Sequence, residues 1–275
     1  MSETPIGIVA ATDRPGVSWW QATTPHGVVA GIARLRPAGL FRHDVLPRAG
    51  PPGKPGLADL GVPELSVHVR PAWRRHGIGS RLLAAVRERT AEPRLVADVV
   101  AGSAGEAFCL RHGFRHTGFR RHDLLTYRDV HRAWLGEMVD AQHPGYRLAH
   151  WTGVLPDPPR PEEPLLSPGG PGDAVLTAAD SGGDRAAYAV AVVGGRTPHR
   201  ARQYGPAVLP GHHGRGLGLW VNAALVQRLR EVHPYVDEIE TATAEDDPGL
   251  LATREHLGFR AVGRTRLYEL RLAGA

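Results

Sequence analysis

Cysteine is nearly missing from this chain: Cys109 stands alone among 275 residues. A single thiol excludes an internal disulfide and suits a reducing compartment. Lysine is as scarce, Lys54 being the only one among 33 basic residues. No stretch approaches the roughly 18 consecutive apolar residues of a membrane-spanning helix, so no membrane span is expected. The first residues, Met1-Ser2-Glu3-Thr4-Pro5, place no basic segment ahead of an apolar one. No signal peptide is therefore expected, and the cytoplasm is the expected location. Two nucleotide-binding signatures are absent: the Gly-x-x-x-x-Gly-Lys-Ser/Thr of triphosphatases and the Gly-x-Gly-x-x-Gly of dinucleotide folds. The fifteen histidines do not fall into a ligand pattern. Gly113-Phe114 interrupts the helix between His112 and His116, and no metal is expected.

What the chain does contain is one glycine-rich loop written twice. Val69-Arg-Pro-Ala-Trp-Arg-Arg-His-Gly-Ile-Gly79 and Val208-Leu-Pro-Gly-His-His-Gly-Arg-Gly-Leu-Gly218 lie 139 residues apart and share valine, proline and both final glycines. A second pair, Gly113-Phe-Arg-His-Thr-Gly118 and Gly258-Phe-Arg-Ala-Val-Gly263, recurs 145 residues apart. Self-similarity at a fixed offset is the mark of duplication, and the unit here is half the chain. The expected division is residues 1–127, a linker helix at 128–145, and residues 146–275, a length that suits two domains. The net charge of +5 and pI near 9.9 favour anionic partners, or reflect arginine as the general surface cation. The Arg120-Arg121 pair and the arginines between Arg70 and Arg75 could form a basic patch, but no recognised DNA-binding element accompanies them, so nucleic acid is not an expected partner.

In the first half, residues 6–11, 17–22, 28–35, 65–69, 95–100 and 119–127 read as strands, and 80–89 and 104–112 as helices. Residues 36–61, rich in proline and glycine, read as a long loop. In residues 80–89, Leu82, Leu83 and Val86 share one helical face. In the linker helix, placed at 128–141, Val130, Trp134 and Met138 recur at helical spacing. The second half repeats the order: strands at 146–151, 174–178, 187–193, 203–208, 238–241 and 266–272, helices at 219–231 and 248–256. Residues 155–173, which hold seven prolines, read as a loop. Strand, glycine loop, helix, strand, helix, strand describes an α/β unit with a mixed sheet.

Glycine between a strand and a helix start lets backbone N–H groups turn inward and approach a pyrophosphate without a Cβ clash. The helix N-terminus adds partial positive charge and unpaired donors. In the first copy the candidates are Arg74, Arg75, His76, Gly77, Ile78, Gly79 and Ser80. In the second they are Val208, His213, Gly214, Arg215, Gly216, Leu217 and Gly218, with His212 beside them.

With Arg74-x-x-Gly77-x-Gly79 after a fourth strand and a Gly-Phe step closing the following helix, the chain resembles the GNAT superfamily of acyl-CoA-dependent N-acyltransferases. The second half matches through His213, Gly216 and Gly218, with histidine in place of the usual Arg/Gln. The stretch from Gln203 to Trp220, together with Tyr146–Gly153 and Leu257–Arg260, resembles the C-terminal half of tandem GNAT proteins of high-GC bacteria. The resemblance implies two tandem α/β domains, each a mixed, mostly antiparallel sheet flanked by helices. It also implies acetyl-CoA as co-substrate, loop amides on its pyrophosphate, and the edge of the fourth strand, near Val67 and Val69, on its pantetheine arm.

The chemistry implied is direct attack of a neutral amine on the thioester. The amine, with a pKa of about 10, must lose a proton, and the thiolate, about 8.5, can take one. The family often places a carboxylate base on the fourth strand and a tyrosine acid four residues before the glycine of Gly-Phe. Here the tyrosine positions hold Cys109 and Arg254. Glu64 is the nearest carboxylate; strand alternation puts it on the face opposite Leu65, Val67 and Val69 unless a bulge intervenes. The candidates are Glu64 as base and Cys109 as acid. The two helices that GNAT domains carry between strands one and two are missing from both halves. The acceptor site would then be open, or completed by the other half or by a second chain in a homodimer. The expected activity is acetyl transfer to a small-molecule or peptide amine. The alternatives are a degenerate tandem protein that binds acyl-CoA without turnover, and a chain active through its second half alone.

Overall fold

The structure, a computed structural model, describes residues 6–14, 17–38, 61–91, 93–153, 174–193 and 197–272. The first half opens with β1 (Gly7–Arg14), β2 (Val17–Thr23) and β3 (Val29–Ala38), an antiparallel meander. Only two residues separate β1 from β2, so no helix pair stands between the first two strands. Then come β4 (Gly61–Val69), α1 (Ile78–Arg89), β5 (Arg94–Val99), α2 (Ala104–Arg111) and the long β6 (Arg115–Thr126). A one-turn 3₁₀ segment, Tyr127–Asp129, precedes α3 (Arg132–Asp140), which shortens the expected linker helix at both ends. The second half runs β7 (Arg147–Gly153), β8 (Ala174–Ser181), β9 (Asp184–Val193), β10 (Arg200–Val208), α4 (Leu217–Val232), β11 (Glu238–Ala244), α5 (Pro248–His256) and β12 (Arg260–Arg271). The expected loops at 36–61 and 155–173 lie almost wholly outside the described residues, and with the second goes the question of helices between β7 and β8.

All twelve strands join one sheet in the order β1-β2-β3-β4-β5-β12-β6-β11-β10-β9-β8-β7. Only β4–β5 and β10–β11 are parallel. The order reads the same from both ends once the halves are exchanged, as duplication about a central two-fold requires. The last strand of each repeat has crossed over: β6 pairs with β11 and β12 pairs with β5, while β6 and β12 pair antiparallel with each other at the centre. Across that seam Arg264 lies over the Phe119 ring at 3.6 Å and Thr265 bonds His122 at 2.8 Å.

The cores follow the exchange. Tyr268 and Leu270 of β12 complete the first core, with Leu65, Leu82, Leu83, Leu95 and Phe114. Leu125 of β6 completes the second, with Leu225, Leu229, Ile239 and Phe259. The two Gly-Phe steps each keep phenylalanine in their own core and release the chain into the other sheet. The helices differ for a packing reason. α1 buries one stripe, Ile78, Leu82, Leu83 and Val86, and ends in Arg87 and Arg89, which complement the helix dipole. α4 is apolar nearly all round because α3 covers its outer side, with Trp220 Nε1 donating to Val139 O at 2.8 Å. The β8–β9 hairpin turns on Gly182-Gly183, both at positive φ, the conformation a two-residue turn needs.

α2 is tied to the exchanged strand. Ser103 caps it by accepting from Glu106 N–H at 3.2 Å, and Glu106 accepts from Gly102 N–H at 2.6 Å. The same carboxylate accepts from Tyr268 Oη at 2.6 Å and from Arg266 at 2.7 Å. These bonds, Tyr268's first, hold its pKa down to about 2. A depressed carboxylate contributes stability that is complete above its unfolded pKa of about 4.3 and is lost as pH falls through about 2. Acid titration of the fold should show a loss across that window that Glu106→Gln removes. Leu125→Ala and Leu270→Ala should each cost about 2–5 kcal/mol. Because each residue serves the core of the other repeat, denaturant melts of both variants should keep a single transition; two separate transitions would contradict the interlock.

Candidate active site

The site begins where β4 and β5 part. They pair at Glu64↔Val96 and separate beyond it. Arg70 N–H bonds Ala30 O at 2.9 Å, so by antiparallel alternation residues 68, 66 and 64 also turn their main-chain groups to β3. Leu65, Val67 and Val69 turn theirs toward the gap. The β3–β4 register is unbroken from Val69 to Glu64. No bulge occurs there, and Glu64, Ser66 and His68 keep the opposite face. Val69 O is taken by Arg74 Nε at 3.1 Å, which folds the loop back onto the strand and leaves the N–H groups of Val67 and Val69 aimed into the cleft.

Below the gap lies the N-terminus of α1. Gly77 caps it at φ 73°, with no side-chain cap and no acidic residue in the first turn. The first helical bond is Arg81 N–H to Gly77 O, so the N–H groups of Ile78, Gly79 and Ser80 have no intrahelical acceptor. Ile78 contributes only that N–H, its side chain being buried. Ser80 contributes the same, because its hydroxyl pairs with His112 Nε2 at 3.0 Å. Gly79 packs closely, since a Cβ there would crowd the Phe108 ring at 3.1 Å. Arg74, Arg75, His76 and Gly77 are exposed. Arg75 has φ 68°, a left-handed conformation that the second copy gives to Gly214 at φ 75°. The first loop thus tolerates backbone strain to keep a guanidinium at the mouth.

Inside the cleft, Cys109 is buried and its thiol is pushed up to about 11, chiefly by burial and then by the Glu106 charge. Proton transfer from such a thiol to a thiolate whose conjugate acid is near about 8.5 runs uphill. Glu64 accepts from Arg120 at 3.3 Å, and Asp98, unnoticed in the sequence, accepts from the same guanidinium at 2.7 Å. Asp98 was legible only as the inward turn of an alternating strand, with nothing to mark it from a surface charge. Arg121 is likewise held by carboxylates, Asp123 at 2.8 Å and Glu255 at 2.6 Å.

The second glycine loop copies the first in backbone. Gly216 caps α4 at φ 72° and again lacks a side-chain cap. Its surroundings differ. Arg215 donates to Tyr146 Oη at 2.8 Å, His212 meets the same oxygen at 3.0 Å, and a Cβ on Gly216 would touch His143 at 3.4 Å. β10 carries the one-residue bulge that β4 lacks, between Tyr204 and Ala207. Leu209 N–H bonds Ala186 O at 2.8 Å, so Val208 and Pro206 face the β10–β11 gap, and Pro206, at the position of Val67, has no N–H to give. A cavity of about 940 Å³ joins the two clefts beneath β6, lined by Glu64, Val67 and Cys109 at one end and by Tyr204, Thr243 and Arg254 at the other.

Residues 3–114 match the model of the acetyltransferase (GNAT) family. No curated relative matches the chain. Among solved structures, a tandem GNAT protein from the clavulanic acid biosynthesis pathway is similar over 96% of this chain and 86% of its own, at 22% identity and TM-score 0.61. The chain has a tandem GNAT fold. A GCN5-related N-acetyltransferase-like protein from Streptococcus suis aligns over 89% of this chain and 85% of its own, at 12% identity and TM-score 0.54. A GCN5-related N-acetyltransferase from Sphaerobacter thermophilus covers 94% and 81%, at 16% identity and TM-score 0.51. Among the described residues no helix is long and apolar enough to cross a membrane, and no cluster of three metal-ligating side chains occurs.

The strained arginine gives a test that separates fold from site in this GNAT scaffold. Arg75→Gly should leave stability within about 1 kcal/mol, because relief of left-handed strain offsets the entropy of glycine. Acetyl-CoA binding, measured by calorimetry, should weaken by about tenfold, the worth of about 1.4 kcal/mol. Unchanged binding would remove Arg75 from the site.

Proposed function

We propose that the protein is an acyl-CoA-dependent N-acyltransferase that moves acetyl from acetyl-CoA to a primary amine in the first cleft. The observation that carries this reading is the alignment of two free main-chain donors, Val67 and Val69, with the uncapped N-terminus of α1. Ile78, Gly79 and Ser80 would hold the pyrophosphate through their N–H groups, with Arg74, Arg75 and His76 adding charge. The β4 edge would hold the pantetheine arm and point an N–H at the thioester oxygen as negative charge builds there. Glu64 and Asp98, which share Arg120, would face an incoming amine from a small molecule or a peptide, and Glu64 would accept the ammonium proton before attack. The departing thiolate then takes the second proton, from the amine nitrogen of the tetrahedral adduct, and needs no acid from Cys109.

A second reading, acyl-CoA binding without turnover, is favoured by the raised Cys109 thiol in the place of a tyrosine acid. Release of free CoA in the presence of an amine panel decides between them. In the first reading Glu64→Gln lowers kcat/KM by about 100-fold, while Cys109→Ser stays within about twofold of the parent. Calorimetric titration should give one acetyl-CoA per chain, lost in Gly77→Glu and kept in Gly216→Glu. Two sites would mean that the second loop, from Val208 through His213, Gly214, Arg215, Gly216 and Leu217 to Gly218, also works. No site in either half would end the acyltransferase reading.

A further inference from the structure

The second cleft has been rebuilt from apolar to polar. Matching the repeats by their strand registers, Arg254 stands for Cys109, Thr241 for Ala97, Thr243 for Val99 and Gln203 for Leu65. Arg254 is 2% exposed and Thr243 3%, and both line the shared cavity. Arg254 donates through Nη2 to Gly205 O at 3.1 Å, and its Nε and Nη1 have no hydrogen-bond acceptor among the described residues. Thr243 Oγ1 and Gln203 Oε1 are buried and without a hydrogen bond as well. Buried polar groups almost always find partners, so this many on one wall call for a ligand.

The donor geometry of Arg254 states which kind. Asp123 lines the same cavity and pairs with Arg254 at 4.0 Å and with Arg121 at 2.8 Å, but no hydrogen bond joins it to Arg254. Asp247 caps α5, accepting from Leu250 N–H at 2.9 Å. Arg254 is thus a buried cation with no carboxylate in hydrogen-bond range, and burial pulls its pKa down to about 10. A guanidinium has two edges that each present a pair of parallel N–H groups around Nη2. One bond to Gly205 leaves one such edge whole, and its planar two-donor geometry matches a carboxylate. Pro206, meanwhile, removes the donor that a pantetheine arm would use.

We propose that the second cleft is a carboxylate-binding pocket, in which Arg254 clasps the carboxylate of a small organic acid and Thr243 and Gln203 bond its polar substituents. The assignment stands on the second cleft alone and does not require acyl transfer in the first. Calorimetric titration of the full chain at constant ionic strength tests it, using acetate, propionate, succinate, glycine and β-alanine, the matching amides, and inorganic phosphate. At least one carboxylate should bind one per chain, and its amide at least tenfold more weakly. Arg254→Met should weaken that carboxylate at least tenfold while leaving acetyl-CoA affinity unchanged. If that variant fails to fold, Thr243→Val, which keeps the cation, should weaken it severalfold. The proposal is overturned if no carboxylate in the series saturates, if amide or phosphate binds as well, or if Arg254→Met and Thr243→Val bind like the parent.

Discussion

The antiparallel pairing of β6 with β12 is the contact on which everything else hangs. It turns two six-stranded sheets into one of twelve, and it sets each repeat's last strand against the other repeat's helices. Leu125 and Leu270 are buried only because of that crossing. The pairing also builds the site. Arg120 reaches Glu64 and Asp98 from β6, and Asp123, three residues further along the same strand and on its other face, stands beside Arg254 of the other repeat. The charges of both clefts are therefore set by one strand.

The glycine loops were legible because their chemistry leaves few choices. A left-handed cap over an unpaired helix start needs glycine, and two copies at one offset carry the duplication on their face. The amphipathic stripe of α1 was legible for a similar reason. The exchange of β6 and β12 was not. An alternating strand after Gly-Phe has the same pattern whichever sheet it joins, and nothing in residues 115–126 says that Leu125 packs on α4 rather than α1. Arg254 was noticed only as a missing tyrosine. Its burial depends on Gly205, Asp123 and Asp247, which sequence does not bring together. The unbroken register at Glu64 and the bulge at Tyr204 are pairing facts, visible only once β3 and β9 are in place.

The two clefts show how one backbone supports unlike chemistry. Gly77 and Gly216 hold nearly the same φ, and both cap helices without a side-chain bond. What differs lies within a few side chains: valine against proline at the strand edge, cysteine against arginine on the helix, an open loop against one touched by Tyr146 and His143. Duplication made the scaffold twice, and the joined cavity lets the copies specialise as parts of one chamber.

The exchange of final strands also governs the order of events during synthesis. Multidomain chains usually fold from the N-terminus as each unit leaves the ribosome. Here residues 7–111 lack a strand of their own core until residues 260–271 have been made, and β5 would meanwhile present an unpaired edge of the sort that invites association with other chains. Translation of the whole second repeat is thus a waiting time for the first. The early strand β6 must remain uncommitted through that interval and close the seam last.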